Sequence, residues 1–315
     1  MAQTETPGHI VEWTGVAMIG RITIKRALKR TAGWAAVLAA PFAGPPARSR
    51  ACIFVYHRVA AVGFVDGRVD DWNVPPALFE RQIASLARFA EFVALSDLPH
   101  KLKGYPPHPK PLVCLTFDDG YANFHSRVLP ILKRYQAPAS VFVVTDLIGQ
   151  QDPIPFDSWS RRHRNRVGPE AWRSMDWPEL EACVGSGLVT VGAHSHRHLK
   201  GGECTQAQLA EEVGASREIL ARRLGEAQSR AYAYPYGSTR LGYVPPGYVH
   251  AVRAAGYQLA VTTDLGLADG DGDPYLLPRV EAHAVDGPCV LAAKARGVLG
   301  PFYVTDRLRT AKRAV

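Results

Sequence analysis

The sequence predicts an α/β protein whose parallel strands close into a (β/α) barrel, and three observations carry that expectation. Short apolar runs alternate with segments of helical periodicity from residue 51 to residue 262. Repeated strand–helix units mean a parallel sheet with right-handed crossovers, and six or more of them in one domain favour closure over an open sheet. Reactive side chains gather where several of these runs end, which is where a parallel barrel presents its site.

Taken in order, strands are expected at 51–56, 112–117, 140–144, 188–193, 231–234 and 258–262. Helices are expected at 76–91, 124–136, 178–185, 206–224 and 246–255. The clearest helix opens on Thr205 with Gln208 three residues later, the spacing of a capping box, and stops at Gly225. The run 112–117 is apolar throughout, as a strand covered on both faces should be, and ends at Asp118, Asp119 and Gly120. Neighbouring strand residues point to opposite faces, so two carboxylates converge only if the chain turns, which Gly120 permits. The alternative for an isolated Asp-Asp-Gly is a solvated turn with one Asp capping the next helix.

With 315 residues, 47% of them hydrophobic, the chain is long enough for a large core. Its net charge of +8 is placed unevenly: Arg21, Lys25, Arg26, Lys29 and Arg30 near the start, a cluster at 161–166, and 307–313 at the end. A helix over 21–30 would be basic on one side with a thin apolar face, a weak anchor to a membrane surface. The boundaries expected are a basic N-terminal segment at 1–50, a catalytic domain at 51–285 and a C-terminal extension at 286–315. Cys52, Cys114, Cys183, Cys204 and Cys289 stand singly and read as reduced packing residues. No apolar run is long enough to span a bilayer. The expected location is cytoplasmic or peripheral at the inner membrane, with export if translation starts at Met18. The charge comes without interleaved aromatic residues, so nucleic acid is not an expected partner; the oligomeric state is not legible.

A second chemical signal is the run 191–198, where His194 and His198 stand four apart and reach one ion from a helical turn or a tight loop. Two histidines and one aspartate make a three-ligand set that leaves a position open for water. Further groups end other strands: His57 after 51–56, and the Tyr-Pro-Tyr-Gly stretch at 234–237.

The segments TFDDG (116–120), HSHRH (194–198) and YAYPYG (232–237), in that order, resemble the polysaccharide deacetylase family, also called NodB-homology or carbohydrate esterase family 4. The likeness covers about 51–283. It implies a distorted parallel (β/α) barrel of the NodB-homology type and metal-dependent removal of acyl groups from N-acylated sugars. By match to the motifs, Asp118 would be the catalytic base, while Asp119, His194 and His198 would bind one divalent ion, usually zinc. The oxyanion would fall to the metal and to the backbone N–H after Pro235, that of Tyr236. Two departures stand out: Ala233 replaces the usual arginine of the third motif, and no Leu-x-His motif appears near the C-terminus. The segment 56–58 resembles the branch that includes biofilm poly-N-acetylglucosamine deacetylases, where an N-terminal histidine, here His57, is the general acid. Arg279 offers a replacement arginine from another strand, with Arg230 a weaker one and His283 a rival acid. Trp177 is expected to line the groove, and Trp159 and Trp172 to pack in the core. Two alternatives keep the fold: a deacylase or deformylase of a lipid-linked amino sugar, and a non-catalytic carbohydrate-binding module with a structural metal.

Overall fold

The computed structural model describes residues 49–62, 72–103 and 108–298. The basic stretches at 21–30 and 307–313 lie outside the described residues. Eleven strands are described: β1 (Arg50–Tyr56), β2 (Arg58–Val59), β3 (Asn73–Val74), β4 (Glu91–Phe92), β5 (Leu112–Phe117), β6 (Ala139–Val143), β7 (Val189–Ala193), β8 (Ala231–Ala233), β9 (Leu259–Leu265), β10 (Ala268–Asp269) and β11 (Leu277–Glu281). Seven of them, in the order β1-β11-β9-β8-β7-β6-β5, form a parallel ring that β5 closes by pairing back onto β1. This is the closed parallel barrel that the alternation of strands and helices implies.

Closure buries two sets of side chains. Ala51, Ile53, Leu112, Cys114, Phe142, Ala233, Leu259, Val261 and Leu277 form one buried apolar cluster, joined by Val93, Leu95, Leu98 and Leu102. They occupy alternate strand positions, as one face of a pleat must. The intervening residues, among them Cys52, Phe54, Val113, Leu115 and Phe117, pack outward with Phe79, Ile83 and Leu86 of helix Pro76–Ala87 and with Leu209, Val213 and Leu220 of helix Gln206–Leu224. The inward parity runs on past the apolar layer. Two or four residues beyond Ile53, Cys114, Gly192 and Leu277 stand His57, Asp118, His194, and Arg279 with Glu281. The same alternation that fills the barrel therefore delivers polar groups to its mouth.

Helix Gln206–Leu224 carries the expected capping box, with Thr205 N donating to Gln208 Oε1 at 2.8 Å, and ends at Gly225 with φ of 88°. The single helix expected at 124–136 divides into a π-helical turn, Phe124–Val128, and an α-helix, Leu129–Tyr135. Pro130 lacks an N–H to continue the α pattern, and a wider turn accommodates that loss. Strand β11 is the further strand expected to carry Arg279, but its bounds were not legible, because Pro278, Arg279 and Glu281 interrupt its apolar run. Helix Pro288–Ala295, which begins what was read as an extension, was not expected. It is buried along Val290–Ala295 and tied down by Lys294, whose Nζ donates to Asp286 Oδ2 at 2.6 Å and to Glu281 O at 2.7 Å. The five cysteines are free thiols. Among the described residues, no helix is long and apolar enough to cross a membrane.

Candidate active site

The end of β5 leaves strand geometry at once: Asp119 and Gly120 both take left-handed backbone, with φ of 70° and 67°. For Gly120 the space is as restrictive as the dihedral, since a Cβ there would lie 2.8 Å from Val143 Cγ1. The turn separates the two carboxylates. Asp118 keeps the inward parity of β5, its N–H donating to Tyr56 O at 2.9 Å, and receives both arms of Arg279: Nη1 to Oδ1 and Nη2 to Oδ2, each at 2.7 Å. Burial would raise the Asp118 carboxyl, but Arg279, helped by His194, holds it well below the usual carboxylate range. Arg279 is itself fixed by Nε donating to Thr262 O at 2.7 Å and Nη1 to Thr116 Oγ1 at 3.2 Å.

Asp119 instead meets the end of β7. His194 Nδ1 lies 2.8 Å from Ala233 O, leaving Nε2 3.5 Å from Asp119 Oδ1; His198 Nε2 lies 3.7 Å from the same oxygen. One donor atom from each of Asp119, His194 and His198 lies within 4.8 Å of the others, and all three residues are buried. The histidines reach this point on a tight loop: Ser195 and His198 have φ of 62° and 61°, and His198 N donates to Ser195 Oγ at 2.9 Å. Ala233, which replaces the expected arginine, thus contributes through its carbonyl.

These residues fit a divalent cation. Burial, then the charges of Asp118 and Asp157, push the Asp119 carboxyl well above its ordinary range, and an adjacent cation would relieve that cost. Burial lowers His194 despite Asp118, and burial and then His194 lower His198, so both imidazoles are neutral ligands at neutral pH. An N₂O donor set suits zinc. His198 Nδ1 is buried with no hydrogen-bond partner among the described residues, and the ring is held by stacking on Phe156, with centroids 3.7 Å apart and planes at 11°.

His57 follows β1 beside Asp118, because Tyr56 and Phe117 are register partners. Its half-buried ring stacks on Trp72 at 5.0 Å, and burial, opposed by Asp118, pushes the imidazole down to about 4. His283 is engaged elsewhere: Nε2 lies 3.0 Å from Glu281 Oε2, and its N–H donates to Asp286 Oδ2. Arg230 is exposed just before β8, at the opposite end of the barrel from the strand ends that carry Asp118. Pro235 is buried, while Tyr236, with φ of 60°, is 38% exposed and lies 4.9 Å from the His198 ring. Trp177 packs against the core with Arg223 over its ring at 4.8 Å; the exposed aromatic beside the metal ligands is Tyr236. Phe156 and Asp157 gave no sequence signal, because the segment 145–176 that carries them lacks periodicity.

A family model described as Polysaccharide deacetylase matches residues 105–260. A poly-beta-1,6-N-acetyl-D-glucosamine N-deacetylase of Staphylococcus aureus (strain MSSA476) is 24% identical over 244 residues, covering 71% of this chain and 76% of its own length. The protein of that name from Staphylococcus epidermidis is 25% identical over 244 residues, with the same 71% and 76% coverage. Among solved structures, IcaB from Ammonifex degensii superposes with a TM-score of 0.63 at 24% identity, covering 79% of this chain and 98% of its own, and so shares the fold.

Proposed function

The chain belongs to the polysaccharide deacetylase family and is a hydrolase of carbon–nitrogen bonds, and from that premise we propose that it removes acetyl groups from N-acetylglucosamine units of a poly- or oligosaccharide with one bound divalent cation, zinc by donor set. The observation that carries this reading is the division between adjacent carboxylates: Asp118 is gripped by a buried arginine, while Asp119 faces two neutral imidazoles. The names of the staphylococcal relatives support the choice of glycan.

Asp119, His194 and His198 would hold the cation, which when bound supplies Lewis acidity to an amide carbonyl and makes a water more acidic. Asp118, held ionised and oriented by Arg279, takes the proton of the attacking water. The Tyr236 N–H, presented by a turn whose carbonyl accepts from Thr263 Oγ1 at 2.9 Å, serves the oxygen of the tetrahedral intermediate. The leaving nitrogen must be protonated, because an amide anion is too basic to depart; His57, which burial keeps neutral at neutral pH, is the donor beside the base once it takes up the proton that Asp118 draws from the water. The C–N bond breaks to acetate and a free amine on the sugar.

Acetate release from β-1,6- and β-1,4-linked N-acetylglucosamine oligomers, with chelator and after zinc is restored, tests the proposal. Release from the β-1,6 oligomers that stops in chelator and returns with zinc is expected. Zinc-loaded protein that releases acetate from none of them overturns it.

A further inference from the structure

Beside the metal ligands lies a buried ion pair to which the proposed chemistry gives no part. Arg58 is 3% exposed and its guanidinium is sandwiched between the rings of Trp159 at 4.0 Å and Tyr121 at 4.4 Å. Its Nε donates to Ala171 O at 2.6 Å, and its Nη2 donates to Ser160 Oγ at 3.1 Å and to Asp157 Oδ2. The Asp157 carboxylate is saturated in turn: Oδ1 accepts from Trp159 N at 2.9 Å, and Oδ2 accepts from Tyr121 Oη at 2.7 Å and from Ser160 Oγ. Burying such a pair against well-packed apolar residues contributes little net stability, so stability alone is a weak reason for it.

Its sequence neighbours supply a better one. Arg58 directly follows His57, Asp157 directly follows Phe156, and Tyr121 stands two residues after Asp119. The Phe156 ring lies flat on His198 at 3.7 Å. A single carboxylate oxygen therefore gathers the strand end that carries the candidate acid, the turn that carries one metal ligand, and the loop whose aromatic ring backs another. His198 has no hydrogen bond at Nδ1 among the described residues to orient its ring, so ring contacts set it, and of the Phe156, His194 and Tyr236 rings around it Phe156 lies nearest and flat against its face. In metal sites, groups that orient the ligands rather than bind the ion typically change affinity or activity by about 10–100-fold.

We propose that Arg58 and Asp157 are positioning residues that set His198 for metal binding through Phe156 and hold His57 in register with that site. The inference rests on the reading of Asp119, His194 and His198 as metal ligands. It does not depend on which glycan is the substrate.

The test uses the full-length protein and Co²⁺ alone as probe, because cobalt absorption reports ligand geometry without turnover. Asp157→Asn removes the charge but keeps the shape, Arg58→Lys keeps the charge but loses the planar fork, and Phe156→Leu cuts only the arm to His198. Each variant should bind Co²⁺ at least about tenfold more weakly than the parent, with an altered visible spectrum. Phe156→Leu should do so at a Tm close to the parent's, a readout that a merely structural pair would not move. In zinc-loaded Arg58→Lys, kcat should fall with KM little changed, and more for substrates with poor leaving amines. Co²⁺ affinity and spectrum matching the parent in Phe156→Leu and in folded Arg58→Lys would overturn the proposal, and so would a parent that binds no Co²⁺. A parent that binds Co²⁺ with these variant effects, but releases acetate from no glycan, upholds the positioning role and overturns the deacetylase reading instead.

Discussion

Arg279 grips Asp118 through two hydrogen bonds of 2.7 Å across 161 residues of sequence, with both side chains buried. The arginine leaves β11, donates to a carbonyl of β9 and to a threonine of β5, and so its fork has one orientation. A bidentate pair of this kind fixes direction as well as charge. Asp118 is thereby kept ionised in a place where burial alone would favour its protonated form.

Loosening that grip should be visible in the pH dependence. Burial raises the Asp118 carboxyl and Arg279 lowers it, so Arg279→Lys, which keeps a charge but loses the fork, lets the pKa rise. The acid limb of kcat/KM is expected to move to higher pH with metal content unchanged. A pH–rate profile that superposes on the parent's would show that Arg279 does not tune the base.

The two adjacent carboxylates should separate on substitution. Asp119→Asn is expected to lose bound metal, whereas Asp118→Asn should retain it and lower kcat by about 10²–10⁴-fold. Metal analysis of both purified variants decides it; equal metal loss would contradict the assignment.

His57→Ala should lower kcat by about 10²–10⁴-fold with bound metal unchanged, and much less for a substrate whose leaving group needs little protonation. His283, whose imidazole is engaged with Glu281, is expected to tolerate alanine with near-parental turnover. The opposite ranking, with leaving-group dependence in His283→Ala, would move the acid to the end of β11.

One step below His194, Gly192 faces the barrel interior, where a Cβ would lie 2.5 Å from Phe142 Cε1 and 2.8 Å from Ala231 O. Gly192→Ala should destabilise the protein by about 1–3 kcal/mol through overpacking. Urea denaturation measures it, and an unchanged midpoint would mean that the barrel wall yields.

Much of this barrel is local information. Strands β1, β5, β6 and β7 are short apolar runs because both of their faces are covered, so their periodicity can be read without knowing what covers them. The turn at Gly120 and the capping box at Thr205 are likewise written in a few neighbouring residues. Strand β11, expected only as the strand that brings Arg279, had no legible bounds for the complementary reason. Its inward-facing residues at the barrel mouth are Arg279 and Glu281, and polar residues in a broken apolar run look like loop until their partners are known.

The sequence by itself determined which reactive groups stand at the ends of which strands: Asp118 and Asp119, His194 and His198, His57 and Tyr236. Pleat alternation and turn chemistry act over a few residues, and that range suffices for such placement. Only the tertiary structure decided what each group touches. Closing the ring brings Arg279 onto Asp118, and folding the segment 145–176 back lays Phe156 on His198 and Asp157 on Arg58. Those contacts depend on register around the whole barrel and on a loop without periodicity. Neither leaves a local pattern, because the energy that selects them comes from burial shared among residues far apart in the chain.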